Sequence, residues 1–151
     1  MGHQGPVFLI SGHGSNPQPI KHALRELIHG QLSIKVLYDV YAGIDQMLAE
    51  ADSRRWHTEI HAEEIETSMM LAIAPELVRM ELAAADYPPL PPDYGKSELS
   101  MGHLMRSGVF GDSRPATAEK GRRWIDLAAE RSAKLWLDFL ARHGLHYGDR
   151  T

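Results

Sequence analysis

The segment Ser11-Gly12-His13-Gly14-Ser15-Asn16 holds the first side chain in this sequence able to do chemistry. The imidazole of His13 can bind a metal through a ring nitrogen. An apolar run precedes the segment and a helical pattern follows it. Strand ends and a helix N-terminus converge at such a turn, where open α/β sheets place their ligands. Gly12 and Gly14 are expected to allow backbone conformations that aim the ring into a crevice. The plainer alternative is a strand-to-helix turn with an incidental histidine. Phosphate binding by the same glycines is a weaker option, because neither the dinucleotide spacing nor a P-loop lysine is present.

Glu66 is the second candidate. Ile65, Met69, Ile73 and Leu77 share one face of a helical pattern, with Met70 beside them. Glu66 falls inside that stripe, about 100° round from Ile65, whereas Glu64 is expected to face solvent. An ionised carboxylate turned toward a core is costly unless it is paired or bound to a metal, which makes Glu66 a candidate ligand or catalytic group. The alternative is a carboxylate near a helix start, bonded to backbone donors or a lysine. His57, Glu59 and His61 crowd the loop before this helix. His57 and His61 have the i, i+4 spacing of a helical zinc pair but lack the His-Glu-x-x-His frame. His61 is the better candidate because it enters the same segment as Glu66, and Trp56 is placed to wall a pocket. His3, His22, His29, His103, His143 and His146 have no partner that the sequence names.

The elements that would carry these groups read as follows. Pro6 to Ile10 is a continuous apolar run, as in a strand buried on both faces of a parallel sheet. Asn16 is expected to cap a helix that begins at Pro17 and stops near Gly30. Ile34 to Tyr41 forms a second strand, and Ala42 to Ala51 a short helix. A further helix is expected over Ala62 to Val78. Residues 83 to 108 are irregular, with the prolines of Tyr87-Pro88-Pro89-Leu90-Pro91-Pro92 among them. This patch reads as a loop over a crevice in preference to a ligand for a polyproline-binding module. Ser107 to Gly111 is a short strand or turn. Thr117 caps a long helix whose inner stripe is Ile125, Ala128, Ala129, Leu135, Trp136, Phe139 and Leu140, ending at Gly144. Trp124 and Trp136 read as core or interface. Strand-helix-strand is the unit of a parallel α/β sheet.

At 151 residues the chain is long enough for one domain with a core of its own. A net charge of −4 leaves no electrostatic footprint for nucleic acid. No apolar run approaches the ~20 residues of a membrane span, and no signal-peptide pattern opens the chain. With no cysteine, disulfides and thiolate metal sites are excluded, so any metal must sit on nitrogen and oxygen, and the cytoplasm is the expected compartment. Only two convincing strands appear, fewer than a parallel sheet usually has, so self-association is expected.

Four blocks together resemble the creatininase family: residues 11–16, His61-Ala62-Glu63-Glu64-Ile65-Glu66-Thr67-Ser68, Gly108-Val109-Phe110-Gly111-Asp112, and Ala116-Thr117-Ala118-Glu119-Lys120-Gly121. Each is weakly specific alone, but they come in the family's order and span nearly the whole chain. The resemblance implies a three-layer α/β sandwich with a mainly parallel sheet, assembling as a homo-oligomer, commonly a hexamer. It implies a metal-dependent amidohydrolase that cleaves an amide or cyclic-amide C–N bond of a small molecule. Family members act on creatinine, on formamides of flavin and deazaflavin biosynthesis, or in mycofactocin maturation.

The same resemblance implies that His13 binds one of two divalent metals (zinc, manganese or iron) and Glu66 the other. It makes His61 the catalytic residue that contacts substrate, with Gly14, Ser15, Asn16 and Trp56 lining the substrate site. The family's opening Glu-x-His-Gly block and a nearby aspartate supply further ligands. This sequence has no counterpart of them, so it is expected to match the C-terminal part of a member, without the N-terminal strand-helix units. Ser15 stands where members usually have a second glycine. Creatinine-hydrolysing members carry tyrosine and glutamate where this chain has Gly14 and Ser15, which argues against creatinine as substrate. A non-catalytic family subunit and a small phosphate- or nucleotide-binding module are the rival readings.

Overall fold

A computed structural model describes residues 5–30, 34–54 and 60–145. The chain divides into two compact units, one of residues 1–44 with 127–151 and the other of residues 45–126.

In the first unit, β1 (Val7–Ser11) and β2 (Val36–Val40) pair in parallel, with Val7 opposite Val36 and Ser11 opposite Val40. Helix α1 (Pro17–His29) connects them. This is the strand-helix-strand unit expected from the apolar runs and from Pro17 at the helix start. Two expectations change. Leu9 is 40% and Ile10 67% exposed, so β1 is not covered on both faces by the described residues. Asn16 has helical backbone angles and makes no side-chain cap; its amide turns back to Ser11 instead.

The second unit is built on a close helix crossing. Helix α2 (Ile44–Glu50) leads into it, and α3 (Glu64–Ile73) packs on the first turns of α5 (Ala118–Arg142). A Cβ on Gly121 would lie 1.9 Å from the Ser68 carbonyl oxygen, so the two backbones meet only because residue 121 has no side chain. The Ser68 hydroxyl accepts a hydrogen bond from the Thr117 N–H at 3.1 Å. Thr117 also caps α5 as expected, its hydroxyl accepting from the Lys120 N–H at 3.2 Å. Trp124 is fully buried, and its indole N–H donates to Glu50 at 3.0 Å. Short antiparallel strands β3 (Ala85–Asp86) and β4 (Gly111–Asp112) and the single-turn α4 (Met101–Leu104) complete the unit.

Helix α3 stops at Ile73, short of the expected Val78. Pro75 disfavours helical angles at Ala74, which takes φ −147° and ψ 69°, and a 3₁₀ turn over Pro75–Leu77 follows. Ile73 and Leu77, expected on the buried stripe, are 68% and 71% exposed. The far end of α5 closes as expected. Gly144 has φ 66°, its N–H bonds to Ala141, and the Leu145 N–H reaches Leu140 at 2.9 Å. Phe139 and Leu140 are buried, but Ala129 and Leu135 of the expected stripe are exposed, while Trp124 and Ser132 lie inside. Phe8, Trp136 and Phe139 stack in sequence, with ring centroids 5.4 and 5.5 Å apart. No described helix is long and apolar enough to cross a membrane.

Candidate functional site

His13 lies in the first unit, in the turn from β1 into α1, and is exposed together with Gly12, Gly14 and Ser15. One hydroxyl organises this turn. Ser11 Oγ accepts from the His13 N–H at 3.2 Å and from the Asn16 side-chain amide at 2.8 Å. The Asn16 N–H closes on the His13 carbonyl at 3.1 Å. Neither Gly12 nor Gly14 adopts a positive φ, and a Cβ at either would meet nothing within 4 Å. The expectation that these glycines supply an unusual backbone is therefore corrected. What they leave is open space on both sides of His13.

His61 and Glu66 lie in the second unit, His61 before α3 and Glu66 within its first turn. The backbone of His61 pairs with Phe110 in both directions, at 3.3 and 2.8 Å, which ties it to the segment leading into β4. Glu66 is half-buried, and its Oε2 accepts from the Ala62 N–H at 2.5 Å. The backbone-bonded carboxylate weighed as an alternative for Glu66 is thus present in this geometry. It does not exclude metal binding, since ligating carboxylates are themselves commonly oriented by hydrogen bonds.

The expectation for Glu64 is overturned. Glu64 is fully buried and takes four hydrogen bonds: from Lys120 Nζ at 2.6 Å and the Asp52 N–H at 3.1 Å on Oε1, from the Ser53 N–H at 2.6 Å on Oε2, and from the Ser53 side chain. Lys120 Nζ also donates to Asp52 Oδ2 at 2.6 Å and to the Pro115 carbonyl at 2.8 Å, which uses all three of its protons. Burial works to raise the Glu64 pKa, but the lysine and the backbone donors outweigh it and hold the carboxyl below its usual range. A stripe count of apolar residues cannot find such a group, because the partner that permits its burial is remote in sequence.

Glu63, which the sequence left without a role, is buried and caps α3, accepting from the Ile65 and Glu66 N–H groups at 3.0 and 3.4 Å. Burial pushes its carboxyl up to about 7, against the pull of those two backbone bonds and with help from the charges of Glu66 and Glu64. His103, also without a named partner in the sequence, meets the Ser100 hydroxyl at 2.8 Å at the start of α4. Trp56, His57, Glu59, His3 and His146 lie outside the described residues.

Among the described residues, no three histidine or carboxylate side chains converge as a metal-binding group. The donor chemistry at His13 and Glu66 suits manganese or zinc, and Glu66 is anchored through one oxygen as a ligating carboxylate would be. His13 and Glu66 each offer a donor suited to such an ion, one in each unit.

The class defined here is an α/β protein that presents imidazole at a strand-to-helix turn and carboxylates at a helix start. The family model for creatininase, creatinine amidohydrolase, matches residues 5–136, and the chain belongs to that family. Solved creatininase structures share its fold. A tryptophan-to-alanine variant of creatininase is 25% identical, with a TM-score of 0.65, covering 89% of this chain and 57% of its own. A manganese form of creatininase is 26% identical, with a TM-score of 0.64, covering 87% and 56%. A putative creatinine amidohydrolase from Bacteroides fragilis NCTC 9343, 24% identical, superposes with a TM-score of 0.70 over 97% of this chain and 56% of its own. The chain therefore spans little more than half the length of these relatives. No curated protein matched by sequence.

Proposed function

We propose that this chain contributes to a metal-dependent amidohydrolase of creatininase type, hydrolysing an amide or cyclic-amide C–N bond of a small molecule. Family membership over residues 5–136 carries this reading, and the manganese and zinc forms among the similar creatininases support a divalent metal. In this reading His13 binds one of two metals and Glu66 the other, with further ligands from donors outside the described residues. His61, fixed against Phe110, contacts the substrate, and Gly14, Ser15, Asn16 and Trp56 border it. The metal, when bound, activates water and polarises the carbonyl. The open space beside Gly12 and Gly14 gives a ligand room to approach the backbone next to His13. Exposed Leu9 and Ile10 support association with a further chain.

A metal site on histidine and carboxylate needs about three protein ligands, so the chain alone is expected to hold metal weakly and hydrolyse little. Supplying the N-terminal segment of a creatininase in trans, with Mn²⁺, is expected to raise metal content and hydrolysis of formamide and lactam substrates together. Both gains should be lost on His13→Ala and on Glu66→Gln with the fold retained. Two tightly held metals and full activity in the chain alone would show that other residues bind. The second reading, a non-catalytic family subunit, draws on the missing third donor among the described residues. It would be upheld if metal and activity stayed absent in the complemented chain.

A further inference from the structure

Ala62 stands between His61 and the capping Glu63 with φ 49°, a left-handed backbone that alanine rarely adopts unless its surroundings hold it. Two straps from the first turn of α3 do so. Glu66 Oε2 takes the Ala62 N–H at 2.5 Å, and the Thr67 hydroxyl donates to the Ala62 carbonyl at 3.1 Å. The Thr67 N–H in turn bonds the Glu63 carbonyl at 2.9 Å, which sets the helix turn from which both straps reach. On the other side of Ala62, both backbone polar groups of His61 are spent on Phe110. Ala62 is therefore the joint between His61 and Glu66, gripped at its N–H by one candidate site residue and at its carbonyl by a threonine.

We infer that Ala62 and Thr67 are positioning residues: they lock a left-handed joint against which the Glu66 carboxylate rests, and so set the relative aim of Glu66 and His61. The inference rests on Glu66 serving as a metal ligand. Loss of the Thr67 hydroxyl frees the Ala62 carbonyl, loosens the joint and lets the Glu66 carboxylate swing, although Thr67 itself touches no metal. Hydrogen-bond partners that orient ligands in this way alter metal affinity about 10- to 100-fold when removed.

The test uses the whole chain complemented in trans with the N-terminal segment of a creatininase, with Mn²⁺ as the probe. Thr67→Val keeps the shape and removes the hydroxyl, whereas Thr67→Ser restores it. Amide exchange at Ala62 reads the joint, and Mn²⁺ line broadening at residues 61–67 reads the ligand. Thr67→Val is expected to speed Ala62 exchange and to weaken Mn²⁺ binding at least about ten-fold, with Thr67→Ser close to wild type in both. If Thr67→Val fails to fold, Thr67→Ser against Thr67→Ala makes the same comparison. Unchanged Ala62 exchange, or faster exchange with Mn²⁺ affinity intact, overturns the inference and leaves the functional reading standing. A complemented wild-type chain that shows no Mn²⁺ effect at these residues removes the functional reading, and the inference with it.

Discussion

The His13 turn depends on a single serine hydroxyl that accepts two hydrogen bonds, with exposed residues around it and open space beside its glycines. The start of α3 is the reverse: Glu63 caps, Glu64 is clamped by a lysine, Glu66 is strapped to a backbone amide, and a glycine crossing lies one turn away. One candidate ligand thus rides on a local turn and the other on a network of long-range contacts. A local turn tolerates change but offers little preorganisation. A buried network aims its groups well and fails when any one partner is removed.

The largest effect should come from breaking the network at Lys120, the cation of that clamp. Lys120→Met leaves Glu64 buried without its counter-charge, and losing one partner of a buried pair costs about 3–5 kcal/mol. Urea denaturation at neutral pH is expected to show that loss, with Lys120→Met/Glu64→Gln recovering part of it. Equal stability of the single variant and wild type would mean that the pair adds nothing.

A glycine contrast sharpens the comparison. Gly121→Ala drives a methyl carbon to 1.9 Å from the Ser68 carbonyl. Overpacking costs roughly 1–3 kcal/mol, and backbone meeting backbone belongs at the upper end, beyond the ~1 kcal/mol that alanine gains over glycine in a helix. Gly12→Ala meets nothing within 4 Å at an ordinary φ, so its effect should stay within about 0.5 kcal/mol, as for other surface substitutions. Paired thermal melts decide between these, and similar losses at both positions would erase the distinction drawn between the regions.

Two neighbouring glutamates should give opposite pH dependence in metal-free buffer. The Glu63 carboxyl, raised from 4.5 to about 7, binds more protons folded than unfolded in that interval. Its contribution is complete below the unfolded value and is lost as pH climbs through about 7, so Glu63→Gln should flatten the fall in stability across that window. Glu64 is held below 4.5 in the fold, so its contribution is present above that value and is lost as pH drops. Stability measured from pH 4 to 8 should show the Glu63 slope in wild type and not in Glu63→Gln. An unchanged slope would relocate the titrating group.

Local sequence determined the elements whose causes lie within a few residues: the β1-α1-β2 run, Pro17 at a helix start, the Thr117 cap and the Gly144 stop. The sequence also placed His13 in its turn and marked the His61 to Ser68 block for attention, because residue types and spacing are local facts. Tertiary structure decided what that block does with its carboxylates. Glu64 is buried because Lys120, 56 residues on, folds back to neutralise it, and α3 sits where it does because Gly121 admits the Ser68 backbone. Periodicity ranks faces by apolar content, so it sent Glu64 to solvent and Ile73 to the core. The fold reversed both, since desolvating a carboxylate becomes tolerable once a lysine and backbone amides surround it, and a helix broken by Pro75 ends before its apolar face is covered.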